Sequence, residues 1–135
     1  MEPSPLPSSP PPAPHLLLGR EGEDIVERHL RRLGWNIRAR NVRVGRRDEI
    51  DLIALEPVDD VLVFVEVKTR REPSDVFPAR LGAHQRKRQR MLRAARRWVA
   101  REDYQGGYRA DLICVEGGRV TQHIRGINAR ERRER

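Results

Sequence analysis

Cysteine is almost missing from this chain. A single residue, Cys114, excludes a disulfide framework within the chain. Its place in the alternating run Ala110-Asp111-Leu112-Ile113-Cys114-Val115 makes it a small core residue of a strand. Long apolar runs are missing too, since nothing approaches the ~20 consecutive apolar residues that a membrane-crossing helix needs. The stretch from Met1 to His15 has no basic opening, carries Glu2 and leads only into Leu16-Leu17-Leu18, which is not the pattern of a secretory signal. A cytoplasmic location and no membrane partner are therefore expected. His15, His29, His84 and His123 are not spaced as metal-binding pairs. No internal repeat, no phosphate-cradling glycine loop and no Ser-His-Asp or Cys-His order is present, so none of those chemistries is indicated.

What the chain does have is charge. At 135 residues it fits one domain with a modest core, and 37% apolar against 36% charged residues suit a highly charged globule. The formal net charge is +8 and the pI is near 11. Such a balance points to an acidic partner, and nucleic acid is the commonest polyanion inside a cell.

The stretch Asp51 to Arg70, DLIALEPVDDVLVFVEVKTR, reads as two strands and a turn. Asp51 to Leu55 is apolar after its opening carboxylate, and Val61 to Val67 is β-branched and aromatic until Glu66 interrupts it. With Pro57 to Asp60 as the loop, antiparallel pairing sets Glu56 opposite Val61 and, further along, Asp51 opposite Glu66. Directly opposed side chains lie about 4.5–5.5 Å apart, where like charges repel unless something positive sits between them. Alternation puts Lys68 on the face of Glu66. One account is a salt-linked strand end in which Lys68 neutralises Glu66. The other is a site for magnesium or manganese, which take oxygen ligands from one or two carboxylates and keep several waters. Val63, Phe64, Val65 and Val67 favour the second, because they indicate a central strand covered on both faces, where an unpaired charge is expensive.

Around the hairpin the pattern is alternately flexible, helical and extended. Seven of the ten prolines fall between Pro3 and Pro14, so that tail is expected to be disordered or polyproline-like, either an idle extension or a ligand for a partner. A helix is expected from Leu17 to Leu33, stopped by Gly34, with Glu21, Glu23 and Asp24 in its first turn. Glu23 falls on the inward stripe with Val26 and Leu30, as a third carboxylate reaching toward the hairpin. Trp35 to Arg40 looks like a first strand, and the basic turn Gly45-Arg46-Arg47 leads into Asp48-Glu49-Ile50-Asp51. Glu49 is either a second acidic contact or an exposed strand entrance. Arg71 to Ala83 is a loop of functional length.

The longest helical signal runs from His84 to Arg101. Met91, Leu92, Ala95, Trp98 and Val99 share one side, and Arg86, Arg90, Arg93, Arg97 and Arg101 form a stripe of about 80° opposite them. Like charges four apart on a helix destabilise it by a few tenths of a kcal/mol each, a repulsion that a phosphate backbone would relieve. An ordinary solvated helix face is the alternative. Lys87 borders the apolar side, from which it can reach the cleft. After Gly106-Gly107 two more strands follow, Arg109 to Glu116 and Arg119 to Ile124, joined by Gly117-Gly118. Asp111 is read as a partner of Arg109, a strand-end contact or a catalytic group. The chain thus divides into a tail over 1–15, a domain over 16–128 and a charged tail over 129–135.

The order of these elements resembles the PD-(D/E)XK nuclease superfamily, and more closely the small bacterial YraN family within it. The matching words are Gly19-Arg20-Glu21-Gly22-Glu23, Asn41, Glu49-Ile50-Asp51-Leu52-Ile53, Phe64-Val65-Glu66-Val67-Lys68-Thr69-Arg70, Lys87 with Ala95, and Arg109-Ala110-Asp111. Where the family usually has glycine before its E-I-D, this chain has Asp48. The resemblance implies a restriction-endonuclease-like α/β fold, a central mixed sheet flanked by helices. It further implies that Asp51 and Glu66 hold Mg²⁺ or Mn²⁺ with the carbonyl of Val67, that Lys68 orients the attacking water and that Glu23 supports the site. Nucleic acid, DNA before RNA, would then be held by Arg70, Lys87 and the stripe Arg86, Arg90, Arg93, Arg97 and Arg101. A homodimer is conceivable, since junction-cutting relatives of this fold act as dimers. The rival readings are a nucleic-acid-binding module without turnover and an adaptor whose arginine face meets an acidic protein.

Overall fold

The computed structural model describes residues 14–71 and 81–127, in which two helices and five strands follow the order α1 (Pro14–Arg32), β1 (Asn36–Val44), β2 (Asp48–Glu56), β3 (Val61–Arg70), α2 (Leu81–Glu102), β4 (Tyr108–Glu116) and β5 (Arg119–Ile124). Residues 1–13 of the expected Pro-rich tail and the charged C-terminal tail lie outside the described residues, as does most of the expected 71–83 loop, whereas Pro14 and His15 belong to α1.

The strands form one mixed sheet in the order β1-β2-β3-β4-β5. Every neighbouring pair is antiparallel except β3 and β4, which are parallel and so need the long crossover that α2 supplies. Strand β3 therefore occupies the middle of the sheet, and Val63, Phe64 and Val65 are fully buried there, as their composition indicates. Successive residues of β3 point to opposite faces. Leu62 and Phe64 pack under α2 with Met91, Leu92, Ala94 and Ala95. Val63, Val65 and Val67 pack under α1 with Val26, Leu30 and Trp35.

Two turns have direct physical causes. Gly117 and Gly118 have φ of 59° and 80°, the conformation that a two-residue hairpin between β4 and β5 demands. In the β2–β3 loop the Glu56 carboxylate accepts the amides of Val58 and, at 3.1 Å, Asp59, so a buried acid closes the turn that sets the hairpin register.

Some boundaries differ from the sequence expectation. Helix α1 begins at Pro14, not Leu17, a position where proline's missing N–H costs nothing. Glu21, Glu23 and Asp24 are consequently mid-helix, and the helix has no acid in its first turn. Strand β1 continues through Val44, β2 starts at Asp48 and β3 runs to Arg70, so the regular sheet extends past the apolar cores of those strands.

Candidate active site

The site is built where β2 and β3 part. Their pairing runs from Glu56↔Val61 to Leu52↔Val65, the register that the Pro57–Asp60 loop requires. One residue further on, the Asp51 carboxylate itself accepts the amide of Val67 at 2.8 Å.

Asp51 also sits where the sheet changes phase. In β2, Ile50 and Ile53 both lie under α2 while Leu52 lies under α1, so strict alternation fails between them. The paired strand β1 does the same, for Ala39 and Val42 both lie under α2. At the break in β1 stands Asn41, whose φ of 52° is left-handed, a conformation that asparagine tolerates better than most residues. Irregularities of this kind re-aim side chains and are common beside active sites.

From α1, Glu23 reaches the same place. Burial pushes its carboxyl above the usual range and the nearby Asp51 charge raises it further, against hydrogen bonds from Arg40 and Asn41. Arg40, at 3.3 Å from Glu23, also binds Asp24 at 2.8 Å and Glu27 at 3.3 Å, tying β1 to α1. The helix can come this close because Gly22 lies directly on the Thr69 side chain.

Glu66 is the residue of β3 that precedes Val67. It is partly buried and lines a cavity of about 160 Å³ under α2 with Arg47, Asp48, Glu49, Arg90 and Met91. Lys68, two residues on, shares its face of β3 by alternation and is also partly buried. The structure thus ties Asp51 to the Val67 amide within the field of Glu23, while Glu66, the neighbouring residue of β3, lines the hollow beside the arginine face. Glu49 is exposed, as the strand-entrance reading expects, and stands at the rim of the Glu66 cavity.

Asp48, the departure from the family pattern, is 7% exposed and receives two hydrogen bonds from Arg93, from Nε at 3.0 Å and from NH2 at 2.9 Å. Arg93 first, then the charges of Arg97 and Arg90, hold its carboxyl below the usual range against the opposing effect of burial. The extra negative charge beside the site is therefore compensated from α2.

The five arginines of the stripe are all exposed. Arg93 is committed to Asp48, and Arg101 bonds the Arg43 carbonyl and Glu102, so the face is less free of acids than the sequence indicates. Arg70 is partly buried at the end of β3. The Lys87 side chain lies outside the described residues.

Asp111 is fully buried and accepts Arg109 Nε at 3.0 Å, His123 Nε2 at 2.8 Å and the Gly126 amide at 2.8 Å. Of the alternatives for Asp111, the tie to Arg109 is present, and Arg109 also reaches Glu56 at 3.4 Å. This second buried charge cluster fixes the β4–β5 end of the sheet.

Residues not singled out by sequence for the site are Arg40, Arg46 and Arg47. Asn41 stood in the resemblance without a role, and its signal was an asparagine in the middle of an extended stretch. Among the described residues no three His, Cys, Asp or Glu side chains are grouped so as to hold a metal ion. A magnesium or manganese ion does not require such a cage, because one or two carboxylates with waters and substrate oxygens suffice. Asp51, Glu66 and the Val67 carbonyl offer only hard oxygens, the donor type that magnesium and manganese take. Among the described residues no helix is long and apolar enough to cross a membrane.

Residues 22–115 match the profile of the family described as Uncharacterised protein family UPF0102. A UPF0102 protein of Streptomyces griseus is 42% identical over 118 residues, covering 82% of this chain and 95% of the relative. One from Streptomyces coelicolor is 38% identical over 116 residues, with 82% and 87% covered. A third, from Nitratidesulfovibrio vulgaris, is 44% identical over 98 residues, with 72% and 70% covered.

Proposed function

The chain belongs to the uncharacterised protein family UPF0102, the YraN family of the sequence resemblance, and from that premise we propose that it is a metal-dependent nuclease that hydrolyses phosphodiester bonds in nucleic acid, DNA in the first place. The mixed sheet with one helix on each face supports reading the fold as restriction-endonuclease-like. The observation that carries the proposal is the seam itself. Asp51 stands at a phase break shared by two strands, tied to the amide of Val67, one residue from Glu66 and within the field of Glu23.

In this reading Asp51 and Glu66, with the Val67 carbonyl, hold Mg²⁺ or Mn²⁺. The hydrogen bond from the Val67 amide fixes the orientation of the Asp51 carboxylate, as partners behind a ligand commonly do. When bound, the ion supplies positive charge at a phosphate oxygen and lowers the pKa of a coordinated water. Lys68 orients the attacking water, and Glu23 supports the site from α1. Arg70, Lys87 and the exposed guanidinium groups of α2 hold the backbone without reading bases, so binding weakens as salt rises. A homodimer belongs to the same proposal.

The test is cleavage of duplex, single-stranded and branched DNA by purified protein with magnesium or manganese. Metal-dependent products from the wild type, lost in Asp51→Ala, are expected. Equal cleavage by both, or products that do not depend on metal, would refute the assignment. The second reading, a nucleic-acid-binding module without turnover, rests on the exposed arginines of α2, which need no ion to meet a phosphate backbone. It expects salt-sensitive binding and no products with either metal.

A further inference from the structure

The turn between β1 and β2, Gly45-Arg46-Arg47, lies against α2. Between them is a cavity of about 520 Å³ lined by Gly45, Arg46, Arg47, Asp48, Arg93 and Arg97. It shares Arg47 and Asp48 with the smaller cavity that contains Glu66 and Arg90. The two hollows therefore adjoin and make one path, from Glu66 past Arg47 to the tip of the turn.

The wall of this path is strongly positive. Four arginines line the larger hollow against one acid, Asp48, which is already bound by Arg93. Arg46, Arg47 and Arg97 are exposed. Gly45 has a φ of 67°, and the Arg97 guanidinium lies close to it, 2.8 Å from where a Cβ would stand. Arg97 of α2 thus lies against the turn, and charges from two separate elements converge on one opening.

We infer that this path is the groove for the nucleic-acid backbone, in which Arg46, Arg47 and Arg97 grip the phosphates of the strand leading away from Glu66. The direction of the strand rests on the nuclease reading; the ligand class rests on charge and shape. A planar guanidinium offers paired donors that match phosphate oxygens, and arginine is the preferred residue where such bidentate contacts are made. Arg46 and Arg47 thereby join the contacts made by α2.

The experiment is fluorescence-anisotropy binding of a labelled DNA duplex to the full chain in EDTA, across a salt series, with wild type, the triple variant Arg46→Ala/Arg47→Ala/Arg97→Ala, and the corresponding triple lysine variant. Each phosphate contact on duplex DNA adds about 0.9 to the slope of log affinity against log salt. Loss of all three contacts is expected to lower that slope by about 2.7, and affinity at low salt should fall at least tenfold. The lysine variant should regain most of the slope. An alanine variant with wild-type slope and affinity, while thermal melting shows it folded, would overturn the inference. Displacement of the duplex by polyglutamate at equal charge concentration would also overturn it, since the groove would then be selective for acidic polypeptide as much as for phosphate. The two readings fail separately. Arginine-dependent binding with no cleavage leaves the groove and removes the nuclease, whereas metal-dependent cleavage with unchanged binding by the triple variant does the opposite.

Discussion

Replacing Gly22 by alanine asks whether α1 rests on β3 as closely as the site requires. In an exposed helix interior, glycine to alanine stabilises by roughly 1 kcal/mol through backbone entropy alone. At Gly22 that gain meets an obstacle. The new methyl would fall inside contact distance of Thr69 Oγ1 and lie 3.1 Å from Thr69 Cβ and Cγ2, where carbon atoms prefer about 3.5–4.0 Å. Gly22 is buried, and neither the helix backbone nor a Cβ on the central strand can step aside cheaply. Overpacking of this kind costs about 1–3 kcal/mol, so the net effect should be destabilising by roughly 0–2 kcal/mol. Gly19, in the same helix, has nothing within 4 Å of its added Cβ, and Gly19→Ala should keep the full gain. The two substitutions are chemically identical and are expected to move the urea midpoint in opposite directions. Thr69→Ala added to Gly22→Ala should recover part of the loss, with a coupling of about 0.5–3 kcal/mol. A Gly22→Ala midpoint raised as far as that of Gly19→Ala would refute the close approach, and with it the reason Glu23 reaches Asp51.

Burial is the largest single effect on the Asp111 carboxyl and pushes it up, but hydrogen bonds from His123, Arg109 and the Gly126 amide, with the Arg109 charge, together hold it low. A depressed folded-state pKa means that its contribution is complete above the unfolded value of 3.8 and is lost as pH falls below it. Asp111→Asn should cost about 3–5 kcal/mol at neutral pH, because it leaves Arg109 buried without its main partner, and should flatten the acid limb of a stability-versus-pH curve. An unchanged acid limb would contradict the assignment. Asn41→Gly should be tolerated in a thermal melt, whereas Asn41→Val should lose about 1–2 kcal/mol more, since a β-branched residue resists the left-handed conformation. Equal melting of the two variants would show that the phase break does not depend on that conformation.

The hairpin β2–β3 was legible in the sequence because a loop of four residues and two apolar runs admit only one sensible register. Central placement of β3 followed from Val63, Phe64 and Val65, since a strand with no polar face must be covered twice. The Gly117-Gly118 turn was legible from its dipeptide alone. The phase break at Asn41 and Asp51 was not, because strict period-two alternation assumes a regular strand and one left-handed residue suffices to break it. The start of α1 is hidden for a related reason, as Glu23 and Asp24 look like first-turn acids when their partner Arg40 is unknown. Pairings such as Arg93 with Asp48 and His123 with Asp111 join separate strands and helices, and no local pattern encodes them. That is also why the arginine stripe reads as unopposed in the sequence, and why Arg46 and Arg47 read there only as a basic turn.

The claim on which the functional account rests is that the parted strands at Asp51 and Glu66 accept a divalent ion. Isothermal titration of manganese into the full chain, without nucleic acid, addresses it directly. A saturable binding event in the wild type that disappears in both Asp51→Ala and Glu66→Ala is the expected result. No binding by the wild type, or binding that survives both substitutions, would contradict it.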